Sequence, residues 1–265
     1  MKHKISKLLA QIFLFSSKAF IKTGRIIGEA SHKMFGEVIQ NLGIDESTKY
    51  NMLGTDSEIY YLDRYWSVLD KYIKTAIVDA KILDLGCSQG RFTHRLAIEN
   101  PDKKIIGVDL SQRAINYAIE NSPTDSSNLE YKVRTIKESL AEQADHSVDI
   151  IIMTEVTVFY PEWIGDISEI QRCLKPGGVF ITTFRSRYYN LLHCIANNNW
   201  ESIDEILNKD EGFLFGNPTK FQWKDKSQIS KIIEEELGFT LNEIYGIGSC
   251  SGIEGDPFSR LCMPE

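Results

Sequence analysis

Residues 82–92 read ILDLGCSQGRF, and the five residues Gly86-Cys87-Ser88-Gln89-Gly90 within them admit two chemistries. As G-x-S-x-G they describe a serine nucleophile raised on a sharp strand-to-helix turn. As a glycine-rich loop they describe a place where backbone comes close to a nucleotide-like ligand. The nucleophile needs partners in a set order, an acid and then a histidine, with an oxyanion segment upstream. The last histidine is His193, well before the chain's end where such folds put it, and no HGGG-like segment precedes Ser88. The serine reading lacks its machinery.

The ligand reading makes a second demand, and the sequence meets it. The strand-like run KIIGVDL (104–110) ends in Asp109, at about the 20-residue interval where an acid takes a ribose. A carboxylate accepts hydrogen bonds from both ribose hydroxyls. A further acid, Asp84, stands just before the glycines. A buried acid repels a pyrophosphate and suits a cofactor that carries an ammonium and a sulfonium. Gly86, Ser88 and Gly90 also fit the dinucleotide spacing poorly. These residues favour S-adenosylmethionine over a nicotinamide dinucleotide.

The elements that must position these groups alternate along the chain. KILDLG (81–86), KIIGVDL (104–110), LEYKVR (129–134), VDIIIMT (148–154) and GVFITTF (178–184) have the apolar runs of strands. Helical patterns lie between them at about 90–99, 111–121, 137–144 and 162–173. Such alternation implies a parallel, doubly wound α/β sheet. LKPGG (174–178) reads as a helix end and a turn, because Pro stops the helix and Gly permits the turn. Residues 186–225, rich in Asn and aromatics, read as an insertion covering the sheet's carboxyl edge. SQISKIIEEELGF then gives a helix ending at Gly238, and TLNEIYGIG and FSRLCMP are expected to close the sheet. The division is a helical N-terminal appendage over 1–75, serving as a lid, and a ligand-binding domain over 76–265.

Composition narrows the class. The chain has 265 residues, 42% hydrophobic and 25% charged, ordinary for a globular protein with a core. Five cysteines without a C-x-x-C pair argue against a disulfide framework or zinc site and fit a reducing, cytoplasmic compartment. The five histidines form no metal-binding pattern, so no metal is expected. Net charge is −7, yet Lys2, Lys4, Lys7, Lys18, Lys22, Arg25 and Lys33 face only Glu29 in the first 36 residues. The acidic remainder argues against nucleic-acid binding. The basic start offers weak contact with an anionic membrane surface or acidic partner, or more simply a solvated face. MKHKISKLLAQIFLF is interrupted by Gln11 and lacks a small-residue cleavage site, so it reads as a retained amphipathic helix rather than a signal peptide.

Four segments in order, ILDLGCSQGRF, GVDLS, SVDIIIMTEV and LKPGGVFITTF, resemble the motifs of class I S-adenosylmethionine-dependent methyltransferases, and of their quinone-biosynthesis and small-molecule subgroup most closely. The resemblance covers roughly 78–187, more weakly 226–265. It implies a Rossmann-like seven-stranded sheet with an antiparallel last hairpin and the cofactor at the strands' carboxyl ends. Carried over by motif, Asp84 orients the methionine amino group, and Gly86, Cys87, Ser88 and Gly90 admit close backbone approach. Asp109 holds the ribose, Leu110 packs near the adenine, and Thr154 and Glu155 line the methionine and reacting methyl. Two departures stand out. Ser88 replaces the loop's middle glycine, and VRTIKESL lacks the Gly-Asp pair of many relatives, leaving the backbone of Ile136, or Glu138, for the adenine. Cys87 and Glu138 have plain alternatives, a small buried residue and a solvated helical acid.

Methyl transfer from a sulfonium is an in-line displacement in which the protein aligns the groups and excludes water. A base is needed only for a protonated nucleophile. Quinone-type relatives show a His shortly after the fourth strand; here Phe159 and Tyr160 stand in its place, making Tyr160 a candidate on the acceptor side. Either a base comes from elsewhere, His193 or His32, or the nucleophile is an anion such as a carboxylate. Arg185 and Arg187, alternating at the end of the fifth strand, would share a face and could clamp such an anion. Aromatics in both covering segments (Tyr60, Tyr61, Tyr65, Trp66, Phe159, Trp163, Tyr188, Tyr189 and Trp200) suggest an apolar pocket. The expected activity is methylation of a hydroxyl or carboxylate oxygen of a small organic or peptide-like metabolite, in specialised metabolism. The alternatives are an N- or C-methyltransferase of a small molecule and a cofactor-binding partner without catalysis. A nucleic-acid methyltransferase would want an Asn/Asp-Pro-Pro-Tyr/Phe motif that TEVTVFYP lacks.

Overall fold

The computed structural model describes residues 56–247 except 125, 161–162, 197 and 214–219. The retained N-terminal helix, His32 and the expected strand FSRLCMP lie outside the described residues. Helix α1 (Asp56–Ile73) leads into β1 (Lys81–Leu85), α2 (Arg91–Glu99), β2 (Lys104–Asp109), α3 (Gln112–Glu120), β3 (Leu129–Val133), α4 (Ile136–Ala141), β4 (Val148–Met153), α5 (Trp163–Cys173) and β5 (Leu174–Thr182). The strands pair in parallel in the order β3-β2-β1-β4-β5. The order reverses between β1 and β4, and open α/β sheets bind ligands at the carboxyl ends beside such a reversal.

The central strands are apolar on both faces because both faces are covered. Leu83, Leu85, Ile151 and Met153 point to a cluster with Trp163, Ile167 and Ile170 of α5 and Ile232, Ile233 and Leu237 beyond. Ile82, Ile150 and Ile152 point the other way, to Phe92 and Leu96 of α2 and Trp66, Leu69 and Ile73 of α1. The spacing of those three α1 residues makes one buried stripe, so the end of the N-terminal segment forms a layer of this core.

Two expectations are corrected. Residues 174–178 are no free turn: Leu174 pairs with Val148, the register shifts between Val148 and Ile150, and Gly177 takes φ 77°, so the turn is absorbed as an irregular start to β5. Five strands of the main sheet lie among the described residues, and the expected strand FSRLCMP lies outside them. TLNEIYGIG makes no strand over 240–247. Its Glu243 instead accepts from Lys71 Nζ at 2.6 and 2.7 Å and from Tyr72 Oη at 3.2 Å, both on α1.

The described residues of 186–225 are structured. They contain α6 (Arg187–Ala196), a 3₁₀ turn (Trp200–Ser202), α7 (Ile203–Asn208) and a small antiparallel pair, β6 (Glu211–Gly212) with β7 (Phe221–Gln222). Cys194, Ile206 and Trp223 form their core. The segment is tied to the ends of β4 and β5: Gln222 N–H donates to Val158 O at 2.8 Å, Lys224 N–H to Arg185 O at 3.0 Å, and Phe221 packs on Phe159. Helix α8 (Lys226–Lys231) follows, starts with a capping box at Asp225, and runs into a π turn (Ile232–Glu236) before Gly238 at φ 65°.

Candidate functional site

The loop after β1 is fixed from below. The N–H groups of Gly86 and Cys87 both donate to Val108 O of β2, at 2.7 and 2.9 Å. Gly86 has φ 78°, and a Cβ there would lie 2.3 Å from Val156 Cγ2, so the chain leaving β4 crosses directly over this glycine. Gly90 has φ 84° and precedes α2; a Cβ there would lie 2.5 Å from Tyr131 Oη and 2.7 Å from His94 Nε2. Glycine is required at both positions by conformation and by space. Ser88 takes the left-handed conformation (φ 49°) that a short polar residue can adopt.

Two carboxylates flank the loop. Asp109, buried at the end of β2, accepts on Oδ2 from Ser88 N–H at 2.9 Å and on Oδ1 from Ser111 N–H at 2.8 Å. The loop and the start of α3 thus aim this carboxylate. Asp84, buried in β1, accepts from Thr93 Oγ1 at 2.8 Å. Burial pushes its carboxyl up to about 6 against the Thr93 hydrogen bond, with Asp109 adding to the rise. Burial also pushes the Cys87 thiol well above its ordinary value, which makes Cys87 a small, inert loop residue. Ser88 Oγ is buried and has no hydrogen-bond partner, and His94 Nε2 faces Ala118 O at 2.9 Å. A nucleophilic serine would be paired to its base, so the hydrolase reading fails on geometry too.

The far side of the cleft is built from three elements. Glu155, just past β4, has φ 56°. Its N–H donates to Thr183 Oγ1 at 2.7 Å. Its Oε1 accepts from Tyr65 Oη of α1, and its Oε2 from Arg185 Nη2 at 3.2 Å. Burial alone would raise this carboxyl, but Arg185, the Tyr65 hydroxyl and Arg91 outweigh it and hold the group below its usual range. The Arg185 guanidinium lies over the Tyr189 ring at 4.7 Å, and His193 packs against Tyr189 at 5.9 Å between centroids. Arg91 stacks over Phe92 and Tyr65. Thr154, buried, precedes Glu155 directly.

Arg187, Glu138 and Tyr160 are engaged elsewhere. Arg187 does not share a face with Arg185, because β5 ends at Thr182 and Arg187 opens α6. Its guanidinium donates to the carbonyls of Ile206, Leu207 and Lys209 and to Asp210, closing the end of α7. The Arg pair is therefore no clamp. Glu138 is exposed and completes the α4 capping box with Thr135. Ile136 begins that helix with its side chain against the core, and Leu110 lies half-buried after Asp109. Tyr160 donates to Asp166 of α5, and Trp163 is core. The sequence reading missed Tyr131, whose ring lies where a side chain on Gly107 would fall and whose hydroxyl sits under Gly90. A glycine inside the strand run IIGVD is the signal for that close approach.

Residues 78–236 match the family described as Methyltransferase domain, and the chain belongs to that family. Within it, this is a class I S-adenosylmethionine-dependent methyltransferase chain, with S-adenosylmethionine as its cofactor. It is 27% identical over 160 residues to a malonyl-[acyl-carrier protein] O-methyltransferase of Acetivibrio thermocellus, covering 57% of this chain and 53% of that one. It is 29% identical over 117 residues to a ubiquinone biosynthesis O-methyltransferase of Photobacterium profundum, covering 44% and 48%. The chain thus spans about half the length of these curated relatives. In fold it resembles the magnesium protoporphyrin IX methyltransferase of Synechocystis PCC 6803, solved with bound cofactor (TM-score 0.51, 14% identity, 83% and 88% covered). It also resembles a methyltransferase of Aquifex aeolicus (TM-score 0.53, 17% identity, 77% and 92% covered).

The residues present fit the cofactor. The loop carries a buried Ser88 hydroxyl without a hydrogen-bond partner and is flanked by the carboxylates of Asp84 and Asp109, a set that suits ribose hydroxyls and a cationic amino acid and disfavours a polyphosphate. Among the described residues no cluster of His, Cys, Asp or Glu could hold a metal ion, and no helix is long and apolar enough to cross a membrane.

Proposed function

We propose that this chain moves a methyl group from S-adenosylmethionine to an oxygen, hydroxyl or carboxylate, of a small organic or peptide-like metabolite. One observation carries the reading: a glycine loop flanked by Asp84 and Asp109 faces, across the Val156 crossing, a polar group of Tyr65, Glu155 and Arg185. The oxygen acceptor is supported by the relatives named as O-methyltransferases.

The cofactor supplies a methyl already activated by positive sulfur. Asp109 would hold the ribose hydroxyls with a carboxylate already oriented by Ser88 and Ser111. Asp84 would face the ammonium, and a cation there would favour its ionised form. Cys87 and Ser88 keep the loop small enough for backbone contact. On the other side, Glu155 pairs with Arg185, and Arg91 lies over the Tyr65 ring, so an acceptor meets one carboxylate flanked by two cations. A carboxylate acceptor would have to compete with Glu155 for Arg185; a hydroxyl acceptor would not. Segment 186–225, tied to the ends of β4 and β5, would wall the acceptor and exclude water, which strengthens the electrostatics inside.

The test is mass spectrometry of candidate metabolites incubated with the protein and deuteromethyl-labelled cofactor. A labelled product with the methyl on oxygen supports the reading. Label on nitrogen or carbon contradicts the oxygen acceptor. Binding of the cofactor with transfer to none of a broad metabolite extract favours a non-catalytic binding protein.

A further inference from the structure

We propose that Tyr65 and Glu155 together form the proton acceptor for a hydroxyl substrate, an inference that rests on the oxygen-methylation reading above. The sequence shows no histidine where related enzymes keep their base. The structure places a different pair at the carboxyl end of β4. Tyr65 Oη donates to Glu155 Oε1, while Arg185 occupies Oε2 and Arg91 lies against the Tyr65 ring. Glu155 is held there at φ 56°. A non-glycine residue in that region is kept only when its surroundings demand it, and such residues cluster at functional sites. The next residue, Val156, packs on Gly86 of the cofactor loop, so the pair stands beside the loop.

The arrangement works as a relay. The Tyr65 hydroxyl gives its hydrogen to Glu155, which leaves its oxygen lone pairs free to accept a hydrogen bond. As the new carbon–oxygen bond forms, the methyl carbon–sulfur bond breaks with its electron pair staying on sulfur. The acceptor's O–H bond breaks, its proton passes to Tyr65 Oη, and the proton Tyr65 held passes to Glu155 Oε1. Glu155 ends as a neutral acid and returns the proton to solvent. The cations beside it make Glu155 a weak base, and a weak base is enough. A hydroxyl that has gained a methyl while keeping its proton is far more acidic than a carboxylic acid. Tyr65 also rests edge-on against Phe92, 5.5 Å between centroids, so its ring stays placed when its hydroxyl is removed.

The experiment compares two probe acceptors with the parent protein, Tyr65→Phe and Glu155→Gln. At mildly alkaline pH 4-methylphenol arrives protonated and 4-nitrophenol arrives as its anion. Both variants should slow methylation of 4-methylphenol by about 100-fold or more, the usual worth of a positioned base. Methylation of 4-nitrophenol should stay within about threefold, since an anionic acceptor needs no base. S-adenosylhomocysteine affinity by calorimetry should be unchanged in Tyr65→Phe. The parent's rate with 4-methylphenol should fall as pH drops through the depressed pKa of Glu155, which faces Tyr65, Arg91 and Arg185, and Glu155→Gln should lose that limb. Equal losses with both phenols, or lost S-adenosylhomocysteine binding in Tyr65→Phe, would reduce the pair to a structural role and overturn the proposal. Methyl transfer to neither phenol by the parent protein would contradict the hydroxyl reading itself, and the relay with it.

Discussion

The side chain of Asp109 accepts the backbone N–H of Ser88 at 2.9 Å, joining the end of β2 to the middle of the glycine loop. This hydrogen bond links the two features that, in sequence, first pointed to a nucleotide-like cofactor. It orients a carboxylate that is already buried and fixes a loop residue with positive φ. If these two surfaces hold the cofactor as proposed, both are set before any ligand arrives, which lowers the cost of binding.

Ser88 contributes size and no nucleophilicity. Ser88→Ala should retain most methyl transfer, and a fluorophosphonate probe should leave the parent protein unlabelled. Covalent labelling at Ser88 would revive the hydrolase reading.

Gly86 is constrained by a contact that can be relieved. Gly86→Ala places a methyl on Val156 Cγ2; overpacking of this kind costs about 1–3 kcal/mol, with about 1–2 kcal/mol more for the left-handed conformation. Adding Val156→Ala should restore the first part and leave the second. Denaturant melts of the single and double variants measure both. No recovery in the double variant would mean that conformation alone matters at this position.

Asp84 gives cofactor binding a pH dependence of defined sign. Its carboxyl is raised to about 6 in the folded protein, chiefly by burial. The proposed pairing with a cofactor ammonium would favour the ionised form, so binding should release a proton near that pH and weaken as pH falls below it. The same raised pKa means that Asp84 contributes to stability at low pH, and that this contribution is lost as pH rises through about 6. Calorimetry in buffers of different ionisation enthalpy reads the proton release, and Asp84→Asn should remove it. Proton release unchanged in that variant would assign it to another group.

Arg187 and Arg185 should separate cleanly. Arg187→Ala strips α7 of a guanidinium that touches three carbonyls and Asp210. A loss of about 1.5–3 kcal/mol is expected from a charged hydrogen-bonding group, measured as a lowered melting temperature. Arg185→Ala leaves α7 intact and should act on activity more than on stability. The reverse pattern would place the functional arginine at 187.

What could be read from the sequence divides along the kind of signal. The five parallel strands and the helices between them were legible because apolar runs and amphipathic stretches alternate, and ILDLG…GVDLS marked out a glycine loop and an acid that the structure joins by a hydrogen bond. The start of β5 was not legible: Pro176 and Gly177 are turn residues locally, and only pairing with β4 draws them into the strand. The course of 240–247 depends on Glu243 meeting Lys71 and Tyr72, a contact some 170 residues apart in the chain. The Arg185/Arg187 clamp failed for a similar reason. It assumed a strand running to residue 187, whereas the chain turns into a helix and a carbonyl cluster claims the second arginine. The Tyr65–Glu155 pair is likewise long-range, and sequence placed Tyr65 only among aromatics expected to wall a pocket.

The account stands or falls on Asp109 at the cofactor's ribose. Calorimetric titration with S-adenosylhomocysteine should give a single site in the parent protein. Asp109→Ala should weaken it by about 10- to 100-fold, the worth of roughly 1.5–3 kcal/mol for a charge-assisted hydrogen bond. Equal affinity in the two proteins would contradict the account.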